Sequence, residues 1–239
     1  VAMEPPAGFE ATQLRNEKVK VLSAIQPMTP QEVRANTVRA QYKGYREEPE
    51  IKPNSNTATF AALRLFVNNW RWQGVPFYLR SGKRMAQKHS HVIIQFKEPP
   101  LAMFPMQNMT PNMLVLYLQP DEGVHLRFEA KAPDTVAETR SVDMEFRYAQ
   151  AFGPTAIPEA YERLLLDVMQ GDASLFTRAD EVEAAWAIID PILKAWQNLQ
   201  TPPLASYRPG TWGPSEADAL LARDGRHWMQ EEADQMLKD

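Results

Sequence analysis

Six runs with the alternation and residue types of β-strands follow one another between residues 57 and 148, and no helical stretch separates them. They read TATFAALRLFV (57–67), VPFYLR (75–80), HVIIQF (91–96), MLVLYLQ (113–119), GVHLRFEA (123–130) and VDMEFRY (142–148). Parallel neighbours need a long crossover, usually a helix, whereas antiparallel neighbours close through a short turn. PDEG at 120–123 has the composition of such a turn. The block therefore predicts an antiparallel sheet. Both faces of 57–67 are apolar and rich in β-branched and aromatic residues, which favours a strand covered on both sides over a helix.

The flanks differ. Val19, Val21, Leu22 and Ile25 predict a short helix over 17–25, interrupted by Pro27 and Pro30. TVRAQY at 37–42 alternates as a strand, and 43–56 is a loop by composition. The last third is helical: 158–171, with the stripe Leu164, Leu165, Val168 and Met169 and a stop at Gly171; then 179–197, with Val182, Trp186, Ile189 and Leu193 on one face and Pro191 as a kink point. Pro202, Pro203, Pro209 and Pro214 mark an extended crossing, and 215–222 reads as a helix with Ser215 as N-cap. The predicted class is α+β: a large antiparallel sheet with helices packed on one face. The six tryptophans, 70, 72, 186, 196, 212 and 228, read as core filler.

A chain of 239 residues fits one large domain or two small ones. Its net charge of −4 and lack of a basic stripe argue against nucleic acid as a partner. Without cysteine there is no disulfide, thiolate or thiolate-metal chemistry, which fits a cytoplasmic protein. No apolar run approaches the ~18 residues of a membrane span. The chain starts at Val1, not Met, and is expected to be cut from something longer.

The densest chemical signal is Arg80-Ser81-Gly82-Lys83-Arg84 followed by Gln87-Lys88-His89, between two predicted strands. Gly82 relaxes the turn, and four cations gather at one sheet end of an acidic protein, where ammonium groups bind phosphate as point charges. Composition alone leaves a solvated basic loop as the other reading. His89 and His91 share a strand face, but no carboxylate spacing completes a metal site, so no metal is expected. Glu47-Glu48, Asp121-Glu122 and Glu231-Glu232 are adjacent acids, not a pair facing across a cleft. The sequon at Asn108-Met109-Thr110 is read as chance. The glycines never form Gly-x-Gly, and Gly-x-Ser-x-Gly is absent, so neither a dinucleotide fingerprint nor a nucleophile elbow is present.

NNWRWQGVPFYLRSGKRMAQKHSHVIIQ (68–95) closely resembles the glucose-6-phosphate dehydrogenase family. So do, in the family's order, VAMEPP (1–6), NEKVKVL (16–22), NTATFAALRLFV (56–67), AYERLLLDVMQGD (160–172) and GPSEAD (213–218). The resemblance spans essentially the whole chain and identifies it as the C-terminal domain of a bacterial-type member, residues 1–239, lacking the N-terminal Rossmann domain. It implies oxidation of glucose 6-phosphate at C1, usually with NADP+, to 6-phosphogluconolactone, in the pentose phosphate pathway.

The resemblance also implies roles. Ser81-Gly82-Lys83 matches the family's Ser-Gly-Lys loop, which makes Lys83 a substrate ligand, with Lys88 as a second basic ligand and Gln119 lining the same region. The catalytic base is a His upstream of the VAME block, so no catalytic residue is expected in this chain, and NADP is bound mainly by the missing domain. The sheet is expected to build a homodimer or homotetramer. An activator protein, known for some bacterial members, is a further candidate partner. Animal members hold a second NADP+ in this domain; Arg80 and Arg127 fit that pattern, but His89, Ile93, Tyr117 and Trp212 stand where it has basic residues. The alternative function is a freestanding, non-catalytic regulatory or partner-binding module derived from the domain.

Overall fold

The computed structural model describes residues 1–98, 110–153 and 157–229. The sequon residues Asn108 and Met109 and the acids Glu231 and Glu232 lie outside them. The chain divides into two compact units, residues 1–87 with 161–227, and residues 88–160 with the segment from 228.

The first unit contains α1 (Ala11–Ser23), α2 (Pro30–Asn36), β1 (Thr37–Tyr42), β2 (Phe60–Phe66) and β3 (Pro76–Gly82). The second contributes β4 (Ser90–Gln95), β5 (Met113–Gln119), β6 (Gly123–Lys131), β7 (Thr139–Arg147) and α3 (Tyr148–Phe152). α4 (Ala160–Gln170), α5 (Ala179–Asn198), β8 (Leu204–Tyr207) and α6 (Ser215–Ala222) complete the first.

The α+β class holds. Where the sequence predicts one large sheet, strand pairing among the described residues gives two sheets of four, ordered β3-β2-β1-β8 and β4-β5-β6-β7. The reason lies just past β3. Arg84 adopts a left-handed backbone (φ 49°), Met85 bridges to Thr211, and Gly210 donates its N–H to the Arg84 carbonyl. The chain thus runs on toward the segment after β8 and does not turn back beside β3. The second sheet is antiparallel throughout, whereas β8 lies parallel to β1 in the first.

β1 is buried at all six positions because it lies inside its sheet, between β2 and β8, with α2 and α6 packed on it. Val33, Ile192, Ala195 and Trp196 form the core above it, from α2 and α5. Thr29 caps α2 with Glu32 in a reciprocal box, and Pro30 occupies the first turn, so the proline expected to interrupt a helix starts one. α6 is capped by Pro214, which holds an extended conformation (φ −80°, ψ 154°), and not by Ser215 as expected. Trp196 is core, but Trp70 and Trp186 stand exposed.

Beneath α5, β1 presents a polar residue to the core. Arg39, 2% exposed, donates from Nη1 to the Trp196 carbonyl (2.6 Å), from Nε to the Pro202 carbonyl (2.8 Å) and from Nη2 to Gln200 Oε1 (3.2 Å). Burial pushes its pKa below the ordinary arginine value, yet a guanidinium stays charged. It satisfies one carbonyl that the C-terminus of α5 leaves unpaired, that of Trp196, and offsets the negative end of the helix dipole. Arg39→Ala is expected to destabilise the protein by about 1.5–3 kcal/mol, the worth of hydrogen bonds to a charged group. Arg39→Lys should recover only part of this, because one ammonium cannot reproduce the planar fork. Urea unfolding of the variants checks both.

Candidate functional site

The Lys83 loop is held by backbone. Lys83 donates its N–H to the Thr59 carbonyl (2.8 Å) and accepts from the Tyr207 hydroxyl (2.7 Å). Gly82 pairs with Phe60, and a Cβ there would lie 2.8 Å from the Phe60 ring and 2.9 Å from Met85 Sδ. Glycine is needed here for close approach, so the position of Lys83 depends on it.

The Lys83 side chain is exposed and makes no ion pair among the described residues. It lines a cleft of about 630 Å³ between the β2–β3 end and the C-terminal end of α5. Thr57, Ser81, Gln197, Gln200 and the edge of Arg39 line the same cleft. Apolar Ala58, Phe60, Leu193 and Trp196 share the lining, so the cleft joins one exposed ammonium group and several neutral hydrogen-bonding groups to an apolar wall, a mixture that suits a ligand with an anionic end. Sequence reading missed Arg39; the only signal was an arginine inside an otherwise strand-like run.

The two arginines of the cluster are committed elsewhere. Arg84 pairs with Glu48 and lies over the Tyr42 ring (5.2 Å), and Arg80 donates to the Trp212 carbonyl (3.3 Å) and lies over its ring (5.2 Å). Lys88 belongs to the second unit, exposed on the segment that enters β4. Gln119 pairs with Ser90 across β4 and β5, so Lys88 and Gln119 share one end of that sheet. Lys83 lies in the other unit. His89 and His91 contact each other through their rings, with centroids 4.6 Å apart, and no group of three metal-binding side chains converges among the described residues.

The basic positions on the second sheet are also engaged. Arg127 forks onto Asp143 at 2.8 and 2.9 Å, and His125 Nε2, in a buried side chain, donates to the same carboxylate at 2.8 Å. Arg147 pairs with Glu145 and covers the Tyr117 ring at 4.3 Å.

The sequence pattern described as glucose-6-phosphate dehydrogenase, C-terminal domain, matches residues 1–229. This chain belongs to the glucose-6-phosphate dehydrogenase family. Glucose-6-phosphate 1-dehydrogenase of Mycolicibacterium smegmatis is 47% identical, over 95% of this chain and 48% of that protein. The enzyme of Aggregatibacter actinomycetemcomitans is 46% identical, over 95% and 47%. Among solved structures, the Mycobacterium avium glucose-6-phosphate 1-dehydrogenase superposes with a TM-score of 0.77 at 36% identity, over 96% of this chain and 47% of that one. A glucose-6-phosphate dehydrogenase in complex with its substrate glucose 6-phosphate superposes at 0.84 and 31% identity, over 95% and 47%. The chain spans about half the length of the curated relatives it matches.

Within this family domain, the Arg127–Asp143–His125 cluster carries a pH signature. The Arg127 hydrogen bond, followed by that from His125, holds the Asp143 pKa below the ordinary carboxylate value despite some desolvation. A lowered folded-state pKa gives stability that is fully present above the unfolded aspartate pKa of about 3.9 and is lost as pH falls through the folded value. Urea unfolding followed from about pH 6 down to about pH 3 should show a steeper loss in the wild type than in Asp143→Asn. Equal slopes would remove Asp143 as a contributor.

Proposed function

We propose that this chain is the C-terminal part of an NADP-dependent glucose-6-phosphate dehydrogenase, and that it supplies substrate-binding cations and the oligomer-forming sheet. The observation that carries this reading is the family match over residues 1–229, joined to an exposed Lys83 at the mouth of a cleft. The substrate is D-glucose 6-phosphate and the product 6-phosphogluconolactone. NADP+, bound mainly by the Rossmann portion that precedes this domain, supplies the hydride acceptor. The glycines here form no Gly-x-Gly loop to hold it.

In this reading Lys83 and Lys88 bind phosphate or sugar oxygens as point charges, with Gln119 lining the same region, and so orient C1 toward the coenzyme. The C1 hydroxyl proton goes to a histidine upstream of residue 1. This domain therefore binds and positions, and it has no turnover alone. The oligomer reading rests on the second sheet, where Leu118, Val142, Met144 and Phe146 are exposed large apolar residues on an antiparallel sheet. Such a face suits a second copy, as a homodimer or in a homotetramer. The setting is cytoplasmic, and an activator protein is a further partner in the bacterial branch.

Lys83→Ala in the full-length polypeptide is expected to raise KM for glucose 6-phosphate by about 10- to 150-fold, the loss of one charge-assisted contact. Lys83→Arg should recover little, since the binding is to a point charge on a flexible stem. Steady-state kinetics with varied glucose 6-phosphate make the measurement, and an unchanged KM removes Lys83 from the site.

A further inference from the structure

Lys83 is the first residue after β3, where the chain leaves its sheet. Its N–H still reaches the Thr59 carbonyl (2.8 Å), but its own carbonyl accepts from a side chain, the Tyr207 hydroxyl at 2.7 Å. Tyr207 lies on β8 and is 3% exposed. Its oxygen is also 3.2 Å from Thr59 Oγ1 and 3.3 Å from the Thr59 carbonyl. A phenol has one proton to give, and the Lys83 carbonyl is the nearest acceptor, so Tyr207 accepts in turn from the Thr59 hydroxyl. Thr59 Oγ1 itself accepts the Tyr42 N–H at 3.0 Å. A buried chain of hydrogen bonds thus runs from β1 through Thr59 and Tyr207 to the Lys83 carbonyl, each bond polarising the next. Burial, as the main cause, pushes the Tyr207 pKa above its ordinary value, so the hydroxyl keeps the proton it donates.

The residues that follow are held from the same segment. Arg84 keeps a left-handed backbone (φ 49°), which an L side chain adopts only where its surroundings fix it. Gly210 donates its N–H to the Arg84 carbonyl (2.8 Å), and Ala86 donates to the Thr211 carbonyl (3.1 Å). Residues 207–211 therefore bond Lys83, Arg84 and Ala86 in turn, and only the bond at Lys83 comes from a side chain. We propose that Tyr207, oriented by Thr59, is a positioning residue for substrate binding: it holds the Lys83 carbonyl and so fixes the point from which the Lys83 ammonium group reaches over the cleft. The ammonium ends a long flexible stem, and a root that shifts lowers the fraction of time it spends where an anion can meet it. Tyr207 touches no substrate, for its ring is packed against those of Phe60 (5.6 Å between centroids) and Tyr42 (6.3 Å). This role rests on Lys83 being a substrate ligand.

Steady-state kinetics on the full-length polypeptide test it. Tyr207→Phe removes the hydroxyl and keeps both ring contacts. KM for glucose 6-phosphate should rise about 2- to 10-fold, the worth of one neutral hydrogen bond, with kcat held within about twofold. Added to Lys83→Ala, Tyr207→Phe should raise KM no further, because it acts only through Lys83. An equal rise in both backgrounds marks a general loosening of the fold and overturns the proposal. So does Tyr207→Phe with KM unchanged, or with kcat lowered in place of a raised KM. Should Tyr207→Phe not fold, Thr59→Val takes its place in the same comparison, and the same outcomes decide. Lys83→Ala with an unchanged KM removes the assignment of Lys83 and this role with it. A raised KM in Lys83→Ala beside an unchanged one in Tyr207→Phe strikes Tyr207 alone.

Discussion

A central strand buried on both faces can carry a charge only if that charge is fully hydrogen-bonded, and Arg39 meets this condition without a carboxylate. Its partners are two main-chain carbonyls and a side-chain amide around the end of α5. Trp196 adds a return contact, donating from Nε1 to Thr37 Oγ1, whose hydroxyl in turn donates to the Val33 carbonyl. Strand β1, helix α5 and the end of α2 are thus joined by one polar seam running through an apolar core. Neutral acceptors satisfy the guanidinium but leave its charge in place, so the cleft that Lys83 also lines has a positive floor. The seam that fixes the helix also biases the cleft toward anions.

Local pattern carried much of this fold. β1 and β5 occupy the predicted residues, 37–42 and 113–119: TVRAQY alternates cleanly, and MLVLYLQ is a short apolar run closed by a turn. What escaped was short or masked by proline. β8 is four residues long in a proline-rich crossing, and its pairing with β1 is a contact across more than 150 positions that no local pattern reveals. α2 was announced by Thr29-Pro-Gln-Glu32, a capping box, but Pro30 read as a breaker although the first turn tolerates it. The site divides the same way. The cation cluster is legible, but which cations remain available is not. Arg80 and Arg84 find Trp212 and Glu48 only in the folded chain, and Arg39 has its partners about 160 residues away.

The second sheet shows how strand periodicity separates structural from associative roles. Alternate residues of β6 and β7 carry His125, Arg127, Asp143 and Glu145 on one face, where His125 and Arg127 bond Asp143 across the strands and Glu145 pairs with Arg147 along its own. Val142, Met144 and Phe146 take the other face, unpaired with any charge and partly open to solvent. A period of two makes these assignments inseparable, since slipping the register by one residue would expose the ion cluster's positions and bury the apolar ones in its place. The salt-bridged face thereby pins the register that presents the apolar face.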